Sequence, residues 1–381
     1  MNNTTLIVLC AGNSSRFNLL AKKQWLRCDD KPLWLNVTNK LNSYSQFAKI
    51  IVTGHKDELN YMKNFTDEYT FVAGGSTRQE SMKNALQNVT TKYVMITDVA
   101  RSCVPKKVIE DLISNKDKAD CIVPFLNASD TIVYKDETIN RDDVKIIQTP
   151  QLSNTKTLQK ALDSQTDFTD DSSAIKNIGG TIFYINGDTQ SKKLTFGNEL
   201  KDINCLPSPN TDCFNGSGYD IHPFEDGKQM VLGGVNILAL RGDVPYGFKA
   251  HSDGDVLIHS LIDALLGACG AGDIGEFFPD TDDKYKGINS SILLKEIVTF
   301  IVNVGYEIVN IDLTIIAQQP KINPYKDDIK STIAKLLNIP KFKVNIKATT
   351  AEKLGFIGRC EGVAVQSNAT LKFYDWRNIN V

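Results

Sequence analysis

Across the first half of this chain, short apolar runs alternate with helix-length stretches, and that rhythm restricts the fold more than any other feature. Strand-length runs occur at Leu6–Cys10, Lys49–Thr53, Tyr93–Thr97, Cys121–Pro124, Lys145–Gln148 and Thr181–Ile185. Helical patterns lie between them at Arg78–Asn88, Lys106–Asn115 and Thr155–Ser164. Such a pattern predicts an α/β fold, a mostly parallel sheet with helices on both faces. Ligands then bind in the loops at the carboxyl ends of the strands. The composition changes at Asn204–Asn215, where Pro207 and Pro209 sit among small polar residues; this marks a linker. A second α/β pattern follows. Ser252 or Asp253 is placed to cap a helix running to about Gly267, along which Leu257, Leu261 and Leu265 repeat every four residues. Val309–Ala317 and Lys343–Ala348 read as strands. The expected division is a domain over 1–207, a linker over 208–215 and a second domain over 216–381.

A length of 381 residues fits two domains. The net charge of −2 gives no global electrostatic case for nucleic acid or an anionic membrane, so an anionic substrate must be held by local cations. The eight cysteines are scattered with no C-x-x-C pair, which argues against a disulfide framework and for a reducing compartment. Met1–Thr5 lacks the basic region of a signal peptide, and no apolar run is long enough to span a bilayer. The expected location is the cytoplasm.

The first strand opens into Ala11-Gly12-Asn13-Ser14-Ser15-Arg16, followed by Lys22-Lys23-Gln24. A glycine-containing loop in that place can set backbone N–H groups against phosphate oxygens, or simply turn a strand into a helix. Gly74-Gly75-Ser76-Thr77-Arg78-Gln79-Glu80-Ser81 is a second such turn. Asp98, ending a strand, suits magnesium on a triphosphate and equally suits a helix cap. Asp130-Thr131, Arg141, Gln148-Thr149-Pro150-Gln151, Thr169-Asp170-Asp171-Ser172 and Lys193-Leu194-Thr195 complete the series.

Over roughly residues 4–203 this set resembles the 2-C-methyl-D-erythritol 4-phosphate cytidylyltransferases of the non-mevalonate isoprenoid pathway, which implies a Rossmann-like nucleotidyltransferase domain. By that resemblance Arg16, Lys23 and Lys193 stabilise the transition state at the α-phosphate of CTP, and Asp98 binds Mg2+. Gly12, Ser14, Gly75, Arg78, Ser81 and Arg101 fall among the substrate contacts, with the Gly75–Ser81 segment at the cytosine. Thr131 and Arg141 grip methylerythritol phosphate across a dimer interface. The chain departs from the family at Cys10, Thr97 and Ser102, where alanine, histidine and proline are usual.

Three of the four histidines, His222, His251 and His259, sit in one stretch with Asp220, Asp253, Asp255 and Asp263. Each alone reads as a satisfied polar residue near a core. Together, neutral imidazoles and carboxylates make a ligand set for zinc with one position open. Asp255, His259 and Asp263 fall at i, i+4 and i+8 on the expected helix. Asp220 and His222 alternate by two, so on a strand they share a face. Gly272-Asp273-Ile274-Gly275-Glu276-Phe277-Phe278-Pro279-Asp280-Thr281-Asp282, Ala317-Gln318-Gln319-Pro320-Lys321, Lys347–Phe356, Gly358-Arg359 and Glu361-Gly362 follow.

Over about residues 216–375 this closely resembles the 2-C-methyl-D-erythritol 2,4-cyclodiphosphate synthases. The resemblance implies an α/β cyclodiphosphate synthase domain in which Asp220, His222 and His259 bind Zn2+. His251, Ser252 and Asp273 orient the methylerythritol portion, with Asp280 and Asp282 among the substrate contacts. Ala317, Pro320, Lys321, Thr349 and Thr350, with Phe356 and Arg359, face the cytidine diphosphate, and Glu352 binds Mg2+. Thr350 and Glu352 are the catalytic pair, and Ala351 replaces a third threonine common in the family. The two resemblances imply one chain with two non-consecutive reactions, using CTP and methylerythritol phosphates and releasing CMP. A separate kinase must add the intervening phosphate. Dimeric transferase domains and trimeric cyclase domains imply a homo-oligomer, with a dimer of trimers satisfying both symmetries. Trp25, Trp34 and Trp376 are expected in the core, Cys10 and Cys269 as small buried residues, and His55 in a surface turn without a role.

Overall fold

The computed structural model describes residues 3–163, 166–250, 253–279, 281–285 and 287–378. They form two compact units, 1–210 with 375–381, and 211–374.

The first unit is built on an eight-stranded sheet. Its elements in chain order are β1 (Thr4–Leu9), α1 (Leu33–Tyr44), β2 (Lys49–Gly54), β3 (Thr70–Ala73), α2 (Arg78–Leu86), β4 (Tyr93–Asp98), α3 (Lys106–Ser114), β5 (Cys121–Asn127), β6 (Lys145–Ile147), β7 (Gln151–Asn154), α4 (Thr155–Leu162), α5 (Asp171–Asn177) and β8 (Ile182–Asn186). The strand order is β6-β5-β7-β4-β1-β2-β3, with β8 also on β5. Every residue of β1 is buried, as expected of a β-branched central strand covered on both sides. Ile7, Leu9, Ile51, Val94 and Ile96 pack with α2, α4 and α5 in one core. The alternate residues Leu6, Val8, Val52 and Met95 are buried as well and point to the opposite face of the sheet.

The expected rhythm is therefore present, with edges shifted by a few residues. β5 runs on to Asn127, beyond the expected Pro124. The sheet is parallel through β3, β2, β1 and β4 and between β5 and β8, but β6 and β7 run antiparallel to β5. An apolar run of three or four residues carries no sign of strand direction. Trp25, Trp34 and Trp376 are fully buried as expected; Trp25 packs on Trp34, Tyr61 and Phe65, and the Trp376 indole donates to Arg27 O at 2.6 Å. Cys103 and Cys205 form a disulfide, which runs against the argument from scattered cysteines to a chain without a disulfide framework; the partners lie 102 residues apart, where no spacing signature could betray them. No described helix is long and apolar enough to cross a membrane.

The second unit contains β9 (Cys213–Asp226), β10 (Leu240–Arg241), β11 (Val244–Phe248), α6 (Val256–Cys269), α7 (Ser290–Asn303), β12 (Tyr306–Ile316), α8 (Lys326–Leu336), β13 (Val344–Thr349) and β14 (Gly362–Phe373). β9 begins inside the segment expected as linker. The sheet order is β10-β11-β9-β14-β12-β13, antiparallel except between β12 and β13. α6 is apolar on nearly every side and lies against β9 and β14. Two glycines of β9 let it approach: a Cβ on Gly216 would fall 2.2 Å from Ala264 O, and one on Gly218 would fall 2.0 Å from Ser260 O. The buried Ser260 hydroxyl lies 3.1 Å from Gly218 O and 2.7 Å from Ser367 Oγ, fixing the helix on the sheet.

Candidate active sites

The loop after β1, the turn before α2, the end of β4 and segment 193–195 enclose a cavity of about 710 Å³ in the first unit. It lies at the carboxyl ends of parallel strands, where such a sheet leaves room for a ligand. Gly12, Ser14, Arg16, Lys23, Gly75, Arg78, Ser81, Asp98 and Lys193 all line it. Local hydrogen bonds shape its two loops. Ser14 Oγ accepts from Lys23 N at 3.1 Å, and Gln24 Nε2 donates to Gly12 O at 2.9 Å. Ser81 Oγ accepts from Gly75 N at 3.0 Å, and Glu80 accepts from Ser76 N at 2.7 Å. Thr77 caps α2 through Glu80 N at 3.1 Å.

The cavity combines cations with the carboxylates of Asp98 and Glu80. Lys23 Nζ donates to Leu194 O at 2.5 Å. Burial and the positive charges of Lys193 and Arg16 lower its pKa to about 8. Asp98 receives Arg78 Nε at 3.0 Å and Lys193 Nζ at 2.6 Å. Burial opposes its ionisation, yet Arg78 and Lys193 hold its pKa at about 2. Asp98 thus belongs to the cavity and caps no helix. Its cationic partners and the open space beside it fit a carboxylate that exchanges ammonium for a divalent cation.

Some expected contacts lie elsewhere. Arg101 does not line the cavity; its guanidinium donates to Ser191 O at 2.7 Å and Ile147 O at 3.3 Å, tying two loops together. Thr131 and Arg141 are exposed beside the small hairpin of strands Ile132–Tyr134 and Glu137–Ile139, also outside the cavity. Arg78 lines the cavity, but its guanidinium engages Asp98 and Asp171. Conversely, His55 was expected to have no role and yet lines the cavity, as do Lys56, Gln24 and Thr195. The strand end preceding His55 was the available signal, since loops there face the ligand.

In the second unit β9 presents Asp220 and His222 on one face and α6 presents His259, with one ligand atom from each lying within 4.8 Å of the others. Asp220 Oδ2 faces His222 Nε2 at 3.1 Å and His259 Nδ1 at 3.4 Å. The remaining ring nitrogens are engaged: His222 Nδ1 donates to Gly254 O at 2.8 Å, and His259 Nε2 lies 3.0 Å from Ser290 Oγ. Ser290 gives its own proton to Asp253 at 2.5 Å, so His259 Nε2 is the donor to it. In their neutral forms both imidazoles therefore turn lone pairs towards Asp220. Asp220 Oδ2 is buried and accepts no hydrogen bond among the described residues. An unsatisfied carboxylate oxygen opposite two oriented imidazoles fits a three-ligand zinc site with one open position. Burial opposes ionisation of Asp220, but His222 and His259, when protonated, hold its pKa below the usual carboxylate range.

The i, i+4, i+8 reading of α6 needs correction. Asp255 is the N-cap, replacing Ser252 or Asp253; its carboxylate accepts from Ile258 N at 3.2 Å, Gly233 N at 2.8 Å and Gly234 N at 2.7 Å. Asp263 accepts from Ile274 N at 2.9 Å. Both carboxylates serve the backbone, leaving His259 alone of the three in the cluster.

The other expected groups of this unit lie on loops. β12 and β13 are parallel neighbours ending together at Ile316 and Thr349, and Ala317 N donates to Thr349 O at 3.0 Å. This brings the Ala317–Lys321 and Thr349–Glu352 loops side by side, with Pro320 buried and Lys321 exposed. Thr350 Oγ1 donates to Glu352 Oε1 at 2.7 Å. Phe356 is exposed, and Arg359 pairs with Glu361 at 2.7 Å. Asp273 caps the turn Ile274–Phe277 through Gly275 N at 2.9 Å, and Asp282 accepts from Lys284 N at 3.0 Å. His251, Ser252 and Asp280 lie outside the described residues.

Comparison with known proteins gives the same division. Residues 4–205 match the family model for 2-C-methyl-D-erythritol 4-phosphate cytidylyltransferase, and residues 214–372 match that of the YgbB family. The bifunctional enzyme IspD/IspF of Aliarcobacter butzleri is 67% identical over 377 residues, covering 99% of this chain and 100% of that protein. The corresponding enzyme of Campylobacter fetus subsp. fetus is 51% identical over 381 residues, covering 100% of both. The solved structure of the bifunctional IspDF from Campylobacter jejuni superposes with a TM-score of 0.87 at 49% identity, covering 98% of this chain and 99% of that one. The chain belongs to the bifunctional IspD/IspF family: it transfers CMP from CTP to 2-C-methyl-D-erythritol 4-phosphate with release of pyrophosphate, and cyclises 4-diphosphocytidyl-2-C-methyl-D-erythritol 2-phosphate to the 2,4-cyclodiphosphate with release of CMP.

Proposed function

We propose that the two reactions are divided between the two sites, the functional boundary falling across residues 208–215. In the first, the loop after β1 receives the triphosphate of CTP and the Gly75–Ser81 turn the cytosine. Arg16, Lys23 and Lys193 neutralise charge that develops on the α-phosphate as the acceptor phosphate attacks and pyrophosphate leaves. Asp98 is the ligand for Mg2+, which would supply charge neutralisation on the phosphates. Thr131 and Arg141, outside their own chain's cavity, serve the acceptor in a second copy. Exposed Val133 and Tyr134 beside them, 62% and 61% accessible, suit burial against that copy.

In the second site Asp220, His222 and His259 are the Zn2+ ligands, and Zn2+ would neutralise the attacking phosphate. Glu352, held by Thr350, is the ligand for a second cation at the diphosphate. The two loops Ala317–Lys321 and Thr349–Thr350, with Phe356 and Arg359, receive the cytidine portion, while His251, Ser252, Asp273, Asp280 and Asp282 serve the methylerythritol portion. No protein nucleophile is required, because the substrate carries its own attacking phosphate and pays little entropy to reach the bond. The assembly proposed is a dimer of trimers, and the compartment the cytoplasm.

The observation that carries this reading is the buried, undonated Asp220 oxygen opposite two backed imidazoles. Metal analysis tests it: one tightly held zinc per chain is expected, absent from His259→Ala. Stoichiometric zinc in that variant would refute the ligand set.

A further inference from the structure

The motif Asp170-Asp171 takes no part in the sites described above, yet Asp171 touches one of them indirectly. Asp171, the first residue of α5, is fully buried. Its Oδ1 accepts from Arg78 Nη1 at 3.1 Å, while Arg78 Nε holds Asp98 at 3.0 Å. The guanidinium is thus shared between two carboxylates. The sharing is incomplete on both sides: Arg78 Nη2 finds no acceptor and Asp171 Oδ2 no donor among the described residues, although both atoms are buried. A planar guanidinium and a carboxylate pair best through two parallel bonds, so a bidentate pair stands here half-formed.

Asp98 meanwhile carries two cationic partners, Arg78 and Lys193. So neutralised, it has little charge to offer a divalent cation. We propose that Asp171 is a positioning residue for the transfer reaction: it receives Arg78 as a bidentate partner when Asp98 turns to the divalent cation carried by CTP. The exchange satisfies both orphaned atoms and keeps every charge paired. It also keeps Arg78 from competing with the cation for Asp98. This rests on the reading of Asp98 as a cation ligand.

The test is Mn2+ binding to the zinc-loaded full chain in the presence of CTP, followed by electron paramagnetic resonance, for wild type, Asp98→Asn and Asp171→Asn. Asp98→Asn is expected to lose one Mn2+ site. Asp171→Asn is expected to keep that site with about tenfold weaker affinity, the worth of one charge-assisted bond. The Mg2+ half-saturation for pyrophosphate release should rise in parallel, with the KM for methylerythritol phosphate and the cyclase rate unchanged. Unaltered Mn2+ affinity in a folded Asp171→Asn protein would overturn the inference while leaving Asp98 as the ligand. Retention of the site in Asp98→Asn would instead remove the reading beneath it. Should Asp171→Asn fail to fold, a crystal structure of the wild type with Mg2+ and CTP decides. Arg78 Nη2 within hydrogen-bond reach of Asp171 Oδ2 is expected there; Arg78 still on Asp98 beside a bound cation would contradict it.

Discussion

At the scale of single residues, Lys23 makes the most exposed claim. Burial and two neighbouring cations, Lys193 and Arg16, lower its pKa to about 8. Such a lysine is charged below about pH 8 and neutral above it, and only the charged form can offset phosphate charge. The kcat/KM for CTP, which reports the free enzyme, should therefore fall as pH rises through about 8. Lys23→Arg, charged at every accessible pH, should flatten that limb even at a reduced rate. A wild-type profile that stays level well into the alkaline range would show that Lys23 does not act as a cation. Removing the group altogether, in Lys23→Ala, should cost about 3–4 kcal/mol of transition-state stabilisation, comparable to losing an oxyanion donor. The cyclase rate of the same protein provides the internal control.

At the scale of elements, the zinc cluster depends on how closely α6 lies on β9. Gly218, two residues before Asp220 on β9, faces the helix, and an added methyl group would meet Ser260 O at 2.0 Å. Gly218→Ala should push His259 away from the two strand ligands, weaken zinc binding and destabilise the second unit by about 1–3 kcal/mol. Differential scanning fluorimetry with and without zinc measures both effects. Unchanged melting and zinc affinity would mean the helix accommodates the methyl group without moving. The same elements show what was legible in the chain. The strand rhythm of the first unit and the i, i+2 spacing of Asp220 and His222 could be read directly, because burial imposes a period on the sequence. The direction of β6 and β7 could not, because direction leaves no period. Nor could the fate of Asp255 and Asp263: helical spacing places side chains on one stripe, but two of the three aligned groups were claimed by nearby backbone N–H donors. Arg101 shows a similar ambiguity, since a charged residue beside a site motif can equally tie loops together, as its guanidinium does here. The Cys103–Cys205 pair joins residues distant in sequence and left no mark on spacing.

At the scale of the molecule, the cavity lined by Arg16, Lys23 and Asp98 lies in the first unit and the Asp220, His222 and His259 cluster in the second. His259→Ala should lose zinc and at least about a hundredfold of cyclase rate, by analogy with removing an electrostatic stabiliser. Pyrophosphate release should continue at the wild-type rate. Sedimentation velocity at assay concentration should show a species larger than a monomer, since the acceptor side of the first cavity is proposed to need a second copy. A fully active monomer would contradict that arrangement. The most direct test of the central claim is to assay one preparation twice: for pyrophosphate release from CTP and methylerythritol 4-phosphate with Mg2+, and for cyclodiphosphate formation from the 2-phosphorylated substrate. Wild type, Lys23→Ala and His259→Ala are compared. With the two reactions divided between the two sites, Lys23→Ala abolishes only the first activity and His259→Ala only the second. Loss of both activities in either folded variant, or of neither, would contradict that division.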